Sequence, residues 1–139
     1  EVTVRLLPLP QLARVVVAGF PTVRAAGDAV GAVVAAGIVP AGLEMMDKLA
    51  IQAAEDFANA GYPRDAEALL LCELDGCREE VDSQISRVET LLRGSGASSI
   101  TVSRDEAQRA ADVAKAGCDG KKAATATVAG AGCAFCGAD

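Results

Sequence analysis

Few residues of this 139-residue chain have the type and spacing to do chemistry, and none is a histidine. Cys133-Ala-Phe-Cys136 is a CxxC, the spacing of half a zinc site or of a redox pair. A structural zinc takes four ligands, and without His only Cys72, Cys77 and Cys118 remain to complete one. A redox CxxC opens a helix after a strand, whereas this one sits in a Gly/Ala tail, so incidental thiols are the preferred reading. Glu44 and Asp47 stand three apart in an extended or turning segment. Asp47 precedes a helical stretch and reads as its N-cap, and Glu44 as an acid at a sheet edge. Lys121-Lys122, taken alone, is a solvated pair. The missing His removes His general bases, nucleophile partners and metal ligands from the chain. Gly27, Gly31, Gly94-Ser-Gly96 and Gly130-Ala-Gly132 lack the context of a phosphate loop and read as packing and turn glycines.

The elements that must position these residues follow from periodicity. Glu1–Leu7 alternates as a half-buried strand until Pro8 and Pro10 stop it. Ala13–Phe20 is β-branched and apolar, a second strand. Thr22 then caps a helix with Val23, Ala26, Val30, Val33 and Val34 on one stripe, ended by Gly37. Val39–Asp47 is extended, with Met45 and Met46 as core filler, and Ala50–Ala60 is a short helix closed by Gly61. Ala66–Leu74 carries the buried strand Leu69-Leu-Leu-Cys72. Residues 78–93 are the clearest helix: Val81, Ile85, Val88 and Leu92 step by four, three and four. This face is expected on the strands holding Leu69–Leu71 and Ile100. Ser99–Ser103 is a short strand and Arg104–Ala116 a polar helix, after which the register fades into Gly, Ala and Thr. The order predicts an α+β fold, a ferredoxin-like antiparallel sheet with helices packed on one face.

Composition narrows the function. Half the residues are hydrophobic, with only three Phe and one Tyr, which suits close helix-on-sheet packing. A net charge of −6 argues against nucleic acid and against an anionic membrane surface. No stretch approaches the ~20 apolar residues of a membrane helix. The opening Glu1-Val-Thr-Val4 has no signal-peptide pattern and no initiator Met, so the chain reads as a fragment. Five irregularly spaced Cys suggest free thiols and a cytoplasmic setting.

Three stretches together resemble one family: Val2-Thr-Val-Arg-Leu-Leu-Pro-Leu-Pro10; Ala18-Gly-Phe-Pro21 with Ala35-Ala-Gly-Ile-Val-Pro-Ala-Gly-Leu-Glu-Met-Met-Asp47; and Asp56-Phe57, Ala60-Gly-Tyr-Pro63 and Leu69-Leu-Leu-Cys-Glu-Leu-Asp-Gly76. They are similar to FAD-linked oxidases of the vanillyl-alcohol oxidase superfamily, in particular the glycolate oxidase D-subunit and D-lactate dehydrogenase branch. The similarity runs from residue 1 to about 109. It implies that residues 1–10 end a FAD-binding domain and lead out of it, that 11–117 are part of the cap or substrate domain, and that 118–139 are a diverged or truncated tail. In that tail Gly120-Lys-Lys-Ala-Ala-Thr-Ala-Thr-Val128 resembles the family's Arg-Lys-Ala-Ala-Phe stretch, with Lys121 in place of Arg and Thr125 in place of Phe.

The resemblance implies a complete enzyme in which hydride passes from the α-carbon of a small 2-hydroxy acid to FAD. A cationic side chain there clamps the substrate carboxylate, a role that falls on Lys121, although only Arg offers a bidentate fork. Glu44 would face the flavin side of the cap and touch substrate. The flavin-binding loops and the catalytic His belong to regions not found here, so the chain alone is expected to bind no FAD and to be inactive. Additional oxidase subunits are implied partners. The alternatives are a non-catalytic ferredoxin-like binding or regulatory domain and, last, a Cys-based metal or redox module.

Overall fold

The run Leu12–Phe20 (β1) is apolar at almost every position because both of its faces are covered. In the computed structural model, which describes residue 3 and residues 9–58 and 61–114, Val16, Ala18 and Phe20 point into one core and Val15 and Val17 into another. Seven further elements follow in order: α1 (Val23–Ala35), β2 (Gly42–Asp47), α2 (Lys48–Ala58), β3 (Ala68–Gly76), α3 (Arg78–Gly94), β4 (Ser99–Val102) and α4 (Glu106–Ala114). The expected strand at Glu1–Leu7 and the tail from 118 lie outside the described residues.

The strands form one antiparallel sheet in the order β2-β3-β1-β4. Val16 lies opposite Cys72 on β3 and Val102 on β4, and Met46 of β2 lies opposite Leu69. Each helical crossover thus spans a strand contributed by the other half, the split βαβ arrangement of the expected ferredoxin-like α+β fold.

On the first face α1 and α3 cover Val16, Ala18, Phe20, Leu70, Cys72 and Leu74. The Thr22 hydroxyl accepts the Ala25 N–H at 3.1 Å and starts α1. Gly37, at φ +73°, turns the chain out of it. The buried stripe of α1 is Ala26, Ala29 and Val33, with Val30 at its margin. Val23 and Val34, expected on that stripe, are exposed. Val34 sits about 100° around the helix from Val33, and Val23 is the first residue of α1. In α3, Val81, Val88 and Leu92 are buried and Ile85 is half-buried, as its spacing predicts. This face meets Leu70, Leu74 and Ile100, whereas Leu69 and Leu71 project to the opposite side, because side chains alternate along a strand.

The second face corrects the expectation of helices on one side only. α2 supplies Ile51 and Ala54 and α4 supplies Val113 against Val15, Leu69 and Leu71. A one-sided sheet needs polar residues on its outer face, and β1 and β3 are apolar on both. Met46 joins this second core, but Met45, one residue earlier and so on the other face, is half-exposed rather than core filler. Asp47 caps α2 as expected, its carboxylate accepting the Ala50 N–H at 2.9 Å.

Candidate functional site

The second face changes character at one end of the sheet. Along β3 the side chains on this face run Leu69, Leu71, Glu73, Asp75, from buried apolar to half-buried and then exposed acid. Glu73 lies opposite Gly42 of β2, and Glu44 lies opposite Leu71, so Glu44 and Glu73 share a face on neighbouring strands. Glu44 and Glu73 line one shallow hollow together with Val15, Gly42, Leu71 and Val113. Glu73 also lines a larger cleft of about 520 Å³, with Pro10, Gln11, Leu12, Ala13, Asp75 and Arg109 around it.

Arg109 reaches this cleft from α4 and forms an ion pair with Glu73 in which both side chains are about one-fifth exposed. Several contacts fix the helix that carries it. Asp105 caps α4, accepting the Gln108 N–H at 2.8 Å, and the Gln108 side chain accepts the Arg104 N–H at 3.1 Å. The Ser103 hydroxyl accepts the Val15 N–H at 3.0 Å. Arg14 on β1 donates to the Ser103 carbonyl at 2.6 Å and also to that of Arg104. Farther along, the Tyr62 hydroxyl donates to the Asp112 carbonyl at 3.0 Å. Tyr62 is itself held by Glu55, a buried carboxylate that accepts its backbone N–H at 2.7 Å. Arg64 stands 3.9 Å from Glu55.

The chemistry of this end is acid-rich. Glu73 and Asp75 line the cleft beside the Arg109 guanidinium, which Glu73 engages, and Glu44 lines the adjoining hollow with Glu73. Such a set accepts hydrogen bonds from hydroxyls or pairs with a cation brought from elsewhere, but it does not by itself clamp a carboxylate. Lys121 lies outside the described residues, so the two sequence-predicted substrate residues are not brought together within them. Nor do the described residues fit FAD. Its diphosphate needs free backbone donors or uncompensated cations, and the cleft beside Pro10–Ala13 presents two carboxylates and a paired arginine.

Glu73, Asp75 and Arg109 were not singled out from the sequence. One signal was available: Glu73 interrupts the apolar run Leu69–Leu74 in the parity of Leu69 and Leu71, so an acid had to stand at the margin of a buried face. Among the described cysteines, Cys77 is exposed and Cys72 buried, and burial pushes the Cys72 thiol up to about 11. That places Cys72 in the core as a small apolar side chain rather than a nucleophile. The CxxC at 133–136 lies outside the described residues.

Among the described residues no helix is long and apolar enough to cross a membrane. Residues 9–132 match the family of FAD linked oxidases, C-terminal domain. The chain is 56% identical over 109 residues to glycolate oxidase subunit GlcD of Escherichia coli (strain K12), an alignment covering 78% of this chain and 22% of that protein. It is 33% identical over 106 residues to the Bacillus subtilis (strain 168) glycolate oxidase subunit GlcD, covering 76% of this chain and 23% of that one. A solved alkyldihydroxyacetonephosphate synthase superposes with a TM-score of 0.61 at 16% identity, over 77% of this chain and 24% of that chain, and shares the fold. The chain thus spans under a quarter of the length of the curated relatives it matches. With the family matching nearly the whole chain and the two-faced antiparallel sheet in place, this chain belongs to the FAD-linked oxidases and carries sequence of their C-terminal domain.

Proposed function

We propose that this chain is the substrate-side part of an FAD-dependent oxidoreductase that oxidises a small 2-hydroxy acid of the glycolate or D-lactate type. The observation that carries the reading is the 56% identity to a glycolate oxidase subunit over most of the chain. The cleft supports it: Pro10–Ala13, where the chain enters the sheet, form one wall, so the polar end lies beside the entry from whatever precedes it. In this reading residues 1–10 end the FAD-binding domain, 11–117 form part of the cap, and 118–139 are its diverged tail. FAD accepts the electrons and is held by protein outside this chain, while Glu44 and Lys121 contact the acid. The enzyme works in the cytoplasm, with further oxidase subunits, and this chain alone is inactive.

The test is a dye-linked assay with glycolate and D-lactate, run on the complete oxidase and on the 139-residue chain, beside a titration of the chain with FAD. Turnover by the complete oxidase only, with no saturable FAD binding by the chain, is the expected result. Stoichiometric FAD binding by the chain, or a complete oxidase inert towards both acids, overturns the reading. Lys121→Ala in the complete oxidase should raise KM more than it lowers kcat, because it removes charge that holds the substrate carboxylate.

A further inference from the structure

Helix α4 is held to the sheet differently from α1 and α3. Those two helices each bury three apolar side chains completely, Ala26, Ala29 and Val33 in one and Val81, Val88 and Leu92 in the other. Among its described side chains α4 gives the second core one apolar group, the part-buried Val113. Two polar contacts accompany it: the Arg109 ion pair with Glu73, and the bond from the Tyr62 hydroxyl to the Asp112 carbonyl. Arg109, Asp112 and Val113 are spaced three and four positions apart and so lie on one side of the helix. Apolar burial is non-directional, whereas a carboxylate–guanidinium pair fixes the angle at which its helix lies. Glu73 is a firm anchor for that purpose. It stands on the interior strand β3, opposite Val15 of β1 on one side and Gly42 of β2 on the other.

We infer that Glu73 is a positioning residue for the oxidation proposed above. By fixing Arg109, and through it the direction of α4, it places the following segment so that Lys121 meets the substrate carboxylate. Lys121 comes seven positions after Ala114, where α4 ends, so the angle of this helix sets where that segment starts. Glu73 touches neither the acid nor the flavin in this role. The inference deepens the proposed function and rests on its assignment of Lys121.

Steady-state kinetics of the complete oxidase, with whichever of glycolate and D-lactate it turns over faster, test it beside melting temperatures. Glu73→Gln keeps the size of the side chain and removes the charge that orients the guanidinium. It should raise KM about tenfold and change kcat by less than about threefold. Added to Lys121→Ala, it should raise KM no more than about twofold further, since the group it positions is already gone. Ile85→Ala, on α3 across the sheet, should lower the melting temperature and leave KM unchanged, which separates positioning from stability. If Glu73→Gln fails to fold, Arg109→Lys, which keeps the charge but gives up the planar fork, carries the same comparisons. A KM unmoved by Glu73→Gln, or a full tenfold rise on top of Lys121→Ala, overturns the inference and leaves the proposed function standing. A comparable rise in KM for Ile85→Ala overturns it as well. No change of KM in Lys121→Ala defeats the carboxylate clamp itself, and this inference with it.

Discussion

Glu73 on β3 and Arg109 on α4 form a half-buried ion pair at the mouth of the cleft, tying the last described helix to the middle of the sheet. Removing one partner leaves the other charge partly desolvated. Arg109→Ala should therefore destabilise the chain by about 1–3 kcal/mol. Replacing both, Glu73→Gln with Arg109→Met, should cost less than the sum of the two single changes. Urea unfolding of the four members of this cycle gives the comparison.

Glu55 and Tyr62 make a second, separable test. Glu55→Ala leaves a buried backbone N–H without its acceptor and should cost about 1–3 kcal/mol. Tyr62→Phe removes the bond to the Asp112 carbonyl and should cost about 0.5–1.5 kcal/mol. Thermal or denaturant unfolding that ranked them the other way round would show that the hydroxyl, not the carboxylate, secures this loop.

Helix α3 offers a graded series. Leu92→Ala, fully buried, should cost about 2–5 kcal/mol. Half-buried Ile85→Ala should cost less, about 1–2 kcal/mol, since part of its surface already meets water. Glu89, whose pairing with Arg93 is long at 3.9 Å, should be replaceable by Ala within about 0.5 kcal/mol.

The two described cysteines should react at very different rates. At pH 8 the buried Cys72, with its pKa near 11, holds only about 0.1% thiolate, while exposed Cys77 is accessible to reagent. Iodoacetamide labelling followed by peptide mapping should mark Cys77 first. The same shift fixes a direction for stability. The folded state keeps the Cys72 proton to higher pH than the unfolded chain does, so the stabilising difference is full below the unfolded thiol value of roughly 8.5. It is lost as the pH rises from there through about 11. Melting temperatures measured from pH 8 to pH 11 should fall more for wild type than for Cys72→Ala.

How far the sequence disclosed this arrangement depends on the range of the interaction. The periodicity of α3, the caps at Thr22 and Asp47 and the stop at Gly37 are local, and each was readable from a few neighbouring residues. That Leu69-Leu-Leu-Cys72 is buried was also plain, but an unbroken apolar run does not say which helices cover its two faces. The different fates of Met45 and Met46 turn on strand parity, which a pair of identical side chains conceals. Glu73 and Arg109 are 36 positions apart, and Tyr62 and Asp112 are 50 apart, so no helical or strand period links them. Only the packing of α4 across β1 brings those partners together. Glu44 shares a sheet face with Glu73, a relationship set by the β2–β3 register rather than by any local pattern.

The strand order β2-β3-β1-β4 places the earliest-made of the described strands in the interior of the sheet. On a ribosome, Leu12–Phe20 emerges long before either neighbour, since Ala68–Gly76 and Ser99–Val102 are both still to be synthesised. At ordinary translation rates that interval is on the order of seconds. Throughout it a nine-residue ribbon of almost unbroken apolar side chains has no hydrogen-bonding partner in the sheet. Nascent chains of this domain should therefore be frequent clients of ribosome-associated chaperones, with release timed to the emergence of β3, and β4 closing the second flank last.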